Sequence, residues 1–209
     1  MRHTRGFFAI VLIGLVTTAC FGSGSSPTAS ASPSALESEG PSATPAASDG
    51  GSGEPSAEPI PSDELGPFTC DLPIHVDQTV ARAQITDVRI GTHVGYDRVV
   101  FEFAGGLPEA FLERVEPPFT QDPTGLPMEV EGSSYLRLIM RGGTKQTEDG
   151  TSSYDGPTEF DPGFPALVDL VEGGDFEAQS TWYFGLTAES CVRVVTLDDE
   201  PRIVIDIEQ

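Results

Sequence analysis

The sequence predicts an all-β fold, a small antiparallel β-sandwich carried by residues 67–209. Three observations predict it. From Gln84 onward, apolar and polar residues alternate with period two in short runs. The runs are rich in β-branched and aromatic residues. Clusters of Gly, Pro and Asp, the usual punctuation of turns, separate them.

The elements follow in order. Ile85–Ile90 places Thr86, Val88 and Ile90 on one face, with Asp87 and Arg89 opposite. Arg98–Phe103 buries Val99, Phe101 and Phe103 and turns Arg98 and Glu102 outward. Phe111–Glu116 adds a strand with a less regular alternation. Tyr135–Arg141 points Leu136, Leu138 and Met140 inward, with Arg137 and Arg141 outward. Thr181–Leu186 is aromatic, and Trp182 and Phe184 share a core-facing side. Val192–Leu197 is β-branched, and Arg202–Ile207 buries Ile203, Ile205 and Ile207. Pro165–Glu172 fits one helical face through Ala166, Leu167, Leu170 and Val171, and fits an edge strand equally well. Pro117–Pro127 and Gly142–Pro165 are long connections, either functional loops or mobile ones.

The chain ahead of the sandwich reads differently. Arg2 and Arg5, the apolar run Phe7–Val16 and Thr17-Thr18-Ala19-Cys20 form a charged, an apolar and a small-residue region in turn. Residues 1–19 are therefore expected to be a lipoprotein signal peptide, with Cys20 the acylated residue. Conventional cleavage to a secreted protein and an uncleaved anchor are the alternatives. No run reaches the roughly 18–20 apolar residues of a spanning helix. Residues 20–66 are Ser, Pro, Ala, Gly, Thr and acid, too polar to offset the entropy of ordering, and are expected to be a disordered tether. The chain is thus expected at the extracytoplasmic face of the cell membrane, lipid-anchored, in the cell-wall zone.

Charge excludes some partners. Residues 70–209 hold 9 Lys+Arg against 26 Asp+Glu, a net −17. A nucleic-acid-binding domain shows phosphates a basic face, so nucleic acid is not an expected partner. Of three cysteines, Cys70 and Cys191 remain for the domain. An even pair in an exported domain predicts a disulfide.

The candidate chemistry is sparse. His75 and His93 read as exposed turn residues with no nucleophile elbow nearby. Asp198-Asp199-Glu200 and the acids of Thr147–Asp155 lack the spacing of a calcium loop and read as solvated turns. Neither catalytic residues, nor metal ligands, nor a cofactor are expected, and the protein is read as not an enzyme. Arg98 and Arg202, with Arg89, Arg137, Arg141 and Arg193, are candidates for a basic strip gripping ligand carboxylates bidentately. The plainer reading pairs them with Glu102, Asp97 or Asp206. Tyr183 is a candidate sugar-stacking residue beside Tyr135 or Tyr96, and core packing is the plainer reading.

Two segments carry a resemblance. Ile85-Thr-Asp-Val-Arg-Ile-Gly91 with Gly95-Tyr-Asp-Arg-Val-Val-Phe-Glu-Phe103 resembles the opening hairpin of AMIN-type domains. Arg193-Val-Val-Thr-Leu-Asp-Asp-Glu-Pro-Arg-Ile-Val-Ile-Asp-Ile207 resembles their closing hairpin. With Gly174–Phe176 between them, the whole is most similar to the bacterial AMIN-like lipoproteins over residues 84–209. The resemblance implies a β-sandwich that works by binding. AMIN domains joined to amidases target them to septal peptidoglycan, whereas this domain is expected to act without an attached amidase. The expected partners are peptidoglycan or envelope proteins. The alternative function is a protein-binding or structural lipoprotein without glycan affinity, and a hydrolase comes third.

Overall fold

The computed structural model describes residues 65–209. The expected signal peptide, Cys20 and all but the end of the expected tether lie outside the described residues. Those described are all-β: β1 (Ile74–Val76), β2 (Ala83–His93), β3 (Tyr96–Ala104), β4 (Glu109–Val115), β5 (Phe119–Thr120), β6 (Pro127–Met128), β7 (Ser134–Arg141), β8 (Gly143–Thr144), β9 (Glu159–Phe160), β10 (Leu167–Phe176), β11 (Gln179–Leu186), β12 (Val192–Leu197) and β13 (Arg202–Glu208).

Eleven of these strands form two facing sheets. The six-stranded sheet runs β1-β4-β7-β11-β10-β9, and the five-stranded sheet runs β12-β13-β3-β2-β8. Pairing is antiparallel throughout except for the short β2–β8 contact. The period-two residues meet between the sheets. Phe101, Ile203 and Ile205 from one side pack with Leu136, Leu138 and Trp182 from the other in one buried cluster. The Trp182 ring lies 5.4 Å from Phe101, edge-on, and its indole N–H donates to Ser180 Oγ at 3.0 Å.

One open alternative is decided and one expectation is corrected. Pro165–Glu172 takes the strand form, not the helical one: from Leu167 it belongs to β10, which pairs along its length with β11 and, at Leu170 and Val171, with β9. Register shifts at Leu167/Asp169 and Glu172/Gly174 place Leu167 and Leu170 both in the core. Bulges make a strand bury residues three apart, which imitates helical spacing. A further register shift, between Ile85 and Asp87, resets the face of β2. Ile85 and Val88 are therefore buried, while Thr86 is exposed.

The first long connection folds back rather than dangling. β5 and β6 pair as a hairpin across the outer face of the six-stranded sheet. Phe119 and Val130 are buried there with Tyr183, against Val115, Tyr135 and Val171. This strap needs close backbone approach at its far end. A Cβ on Gly185 would overlap the Glu131 carbonyl oxygen. The Glu131 N–H then donates to Asp169 Oδ2 at 2.8 Å.

Cys70 and Cys191 form the expected disulfide, closing 121 residues. Beside it Thr69 bridges Val192. Leu65 is already buried, and the Gly66 carbonyl accepts from Arg193 Nη1 at 3.1 Å. Leu65 and Gly66, ahead of the expected start at residue 67, thus pack with the domain.

Candidate functional site

Alternation in β7 turns Arg137, Ile139 and Arg141 away from the core, and the register of β4 sets Glu113, Phe111 and Glu109 opposite them. β1 adds His75 beside Phe111, and β11 adds Gln179, Thr181 and Tyr183. This outer face has two halves. The strap covers the half around Tyr183, Tyr135 and Val115. The other half stays open around Phe111 and Ile139, both half-buried.

On the open half the Arg141 guanidinium lies 4.8 Å from the Phe111 ring centre, and the His75 ring stacks on the same phenyl at 4.5 Å. Arg141 is 59% exposed and reaches Glu109 only at 3.5 Å. His75 Nε2 lies 3.3 Å from the other oxygen of Glu109. Phe176, at the end of β10, is 45% exposed. Arg137 divides the halves and is held by Glu113 at 2.6 Å. Burial works against its charge, but Glu113 and Tyr183 outweigh it, so its pKa lies above the ordinary arginine value.

The predicted strip is not continuous. Arg98, Arg193 and Arg202 project from the outer face of the five-stranded sheet, whereas Arg137 and Arg141 project from that of the other sheet. The sandwich lies between the two groups. Arg98 and Arg193 both donate to the fully buried Asp206, at 2.6–3.0 Å. The hydrogen bond to Asp206 raises the Arg98 pKa despite burial. Arg193 also lies over two neighbouring rings, 4.5 Å from the Phe68 ring centre and 5.3 Å from that of Tyr96. Arg202 pairs with Glu200 and, at 3.9 Å, with Glu102. Tyr183 is 7% exposed beneath the strap, packed on Phe119 with ring centres 4.9 Å apart, so it offers no open stacking platform.

The histidines are not turn residues. His75 lies in β1, and His93 ends β2, stacked on Tyr96 at 4.8 Å. In the acidic loop, hydrogen bonds from Thr147 and Thr151 hold the exposed Asp149 carboxyl below its ordinary pKa. Among the described residues, no cluster of three or more His, Cys, Asp or Glu could hold a metal ion, and no helix is long and apolar enough to cross a membrane.

A family model described as the AMIN-like domain matches residues 83–209, more than half of the chain. The chain belongs to the AMIN-like domain family. No curated protein and no solved structure matches it. The matched region starts at β2 and takes in both hairpins that carried the resemblance, and β1 with the disulfide-bonded Cys70 precedes it. Membership of the AMIN-like family suggests a cell-envelope role associated with peptidoglycan. The reach of sequence reasoning into the open face was partial. It named Arg137 and Arg141, read His75 only as an exposed turn residue, and did not single out Phe111 or Phe176. Outward alternation of Phe111 opposite Ile139 was the available signal, and it required the β4–β7 register.

Proposed function

We propose that the AMIN-like domain binds peptidoglycan through the open half of its six-stranded sheet, without catalysing a reaction. The carrying observation is the strap, which covers one half of that face and leaves Phe111, Ile139, Arg141 and His75 uncovered. An exposed cation lying over an aromatic ring suits a sugar ring bearing a peptide carboxylate. The ring supplies apolar contact and Arg141 supplies a charge-assisted hydrogen bond. In this reading Cys20 carries the lipid, and residues 20–66 set the domain off the membrane, with an r.m.s. reach of roughly 35–40 Å for so flexible a tether.

The test is co-sedimentation of the full chain with purified cell-wall sacculi at low and high salt. Wild type should pellet, Phe111→Ala and Arg141→Ala should pellet less, and Arg202→Ala should pellet as wild type does. No pelleting at either salt would sink the reading. A protein partner is the second reading, favoured by Phe176 at the rim of the same face. It predicts no pelleting on protein-free sacculi, and recovery of an envelope protein after crosslinking from a residue placed at Gln179.

A further inference from the structure

Lys145 is the only lysine in the chain. It follows β8 and lies against β10 at the flank of the sandwich, away from the open face. Its Nζ is 2.5 Å from Glu172 Oε2. The two side chains are 20% and 8% exposed. The other oxygen, Glu172 Oε1, is buried and has no hydrogen-bond partner. Asp175 fixes the root of the lysine, because its carboxylate accepts the Lys145 backbone N–H at 2.5 Å and the Thr144 hydroxyl at 2.8 Å. Burial pushes the Glu172 carboxyl above its ordinary value; Lys145 opposes that shift and Asp175 adds to it.

As an ion pair this arrangement is poorly rewarded. Two charges have lost hydration, and one carboxylate oxygen has nothing to accept from. Moving one proton from Lys145 to Glu172 gives a neutral amine against a neutral acid. In that form the amine is a nucleophile held against the carbonyl carbon of an acid. The fold already holds the two groups in contact, so no encounter remains to be made.

We propose that Lys145 and Glu172 condense into an intramolecular isopeptide bond. Lys145 Nζ attacks Glu172 Cδ. The C–N bond forms, one C–O bond breaks, and the hydroxyl leaves as water with a proton from Nζ. No oxidant, reductant or co-reactant takes part. Asp175 acts as a positioning residue. The product is a neutral amide, which removes both charges of the part-buried pair. It ties the Gly142–Pro165 connection to β10 by a link that reductants do not break, unlike Cys70–Cys191.

Peptide mapping tests this on the full chain. Arg141 and Arg193 flank the segment, and Lys145 is the one tryptic site between them. The folded protein is reduced, denatured and digested. The expected product is a single Gly142–Arg193 peptide lighter by one water, with fragment spectra joining Lys145 to Glu172. Lys145→Arg keeps the charge and the tryptic site but cannot condense, so it should give two separate peptides, 142–145 and 146–193, at full mass. Release of Gly142–Lys145 from wild type overturns the proposal. So does a water lost from Gln146–Arg193 with Lys145 cleaved, because that marks a succinimide at Asp149–Gly150 or Asp155–Gly156. A join to Asp175 overturns the choice of acceptor.

Discussion

Asp206→Ala isolates the polar interaction on which the five-stranded sheet most depends. Asp206 is fully buried at the middle of β13's outward row. Oδ1 accepts from Arg98 Nε at 2.6 Å, and Oδ2 accepts from Arg98 Nη2 at 3.0 Å. Oδ2 also accepts from Arg193 Nε at 3.0 Å and Nη2 at 2.6 Å. Alanine would leave both guanidiniums facing each other, with their side chains only 14% and 9% exposed. Removing one partner of a buried pair costs about 3–5 kcal/mol. For a domain of this size that lowers Tm by about 6–20 °C. Arg193 also donates to the Gly66 carbonyl and lies on Phe68, so the segment Leu65–Thr69 should loosen with it. The assay is urea unfolding followed by Trp182 fluorescence, with Arg89→Ala as the comparison. Arg89 is 46% exposed and ion-paired at the surface, so its loss should cost under about 1 kcal/mol. An Asp206→Ala loss no larger than that of Arg89→Ala would refute the reasoning.

Three further perturbations test other parts of the fold. Gly185→Ala drives a Cβ into the Glu131 carbonyl oxygen, so the strap should lift and proteolysis should cut within residues 117–131. Wild-type resistance in the variant would show that the strap tolerates displacement. Burial pushes the Tyr154 phenol up to about 12 from 10.0. The folded chain therefore keeps a proton that the unfolded chain has lost in that window, and stability falls as pH rises through it. Tyr154→Phe should flatten that fall in denaturation series across the window. At neutral pH it should cost about 0.5–1.5 kcal/mol for the lost bond to the Pro157 carbonyl. Opening Cys70–Cys191 by Cys70→Ser with Cys191→Ser should lower stability by about 4–5 kcal/mol if chain entropy dominates. A change under about 1 kcal/mol in the same assay would show that the bridge mainly fixes local geometry.

The inward faces were legible because alternation reports which side of a strand is apolar. That succeeded for Arg98–Phe103, Tyr135–Arg141 and Arg202–Ile207, whose apolar sets all enter the core. It failed where the backbone breaks the period. The bulge at Thr86 and the two in β10 shift the face by one residue, and nothing in composition marks them in advance. The strap was equally opaque. Pro117–Pro127 looks like a polar loop, and only Phe119 and Met128 hint that its ends pair over Tyr183. The arginine strip failed for a different reason. Strand spacing tells which arginines point outward, but not which of two sheets they leave. That depends on the strand order, a long-range property of the whole fold.

The pairing of these arginines also changes what binding at the open face must rest on. The domain has nearly three acids for each base, 26 against 9. Arg98, Arg137, Arg141, Arg193 and Arg202 each already have a carboxylate within 4.0 Å. A ligand carboxylate reaching Arg141 therefore competes with Glu109. An exchange of one exposed pair for another yields only a small difference between two terms of about 0–1 kcal/mol. Arg141 can then orient a ligand without supplying most of its affinity. The larger share has to come from apolar contact with Phe111 and Ile139, at roughly 25 cal/mol per Å² buried. Salt screens the first contribution and leaves the second. Binding to sacculi should therefore weaken only modestly with ionic strength, and Phe111→Ala should cost more affinity than Arg141→Ala. The reverse order, with a steep salt dependence, would mean that the charge of Arg141 rather than apolar contact with Phe111 supplies most of the affinity.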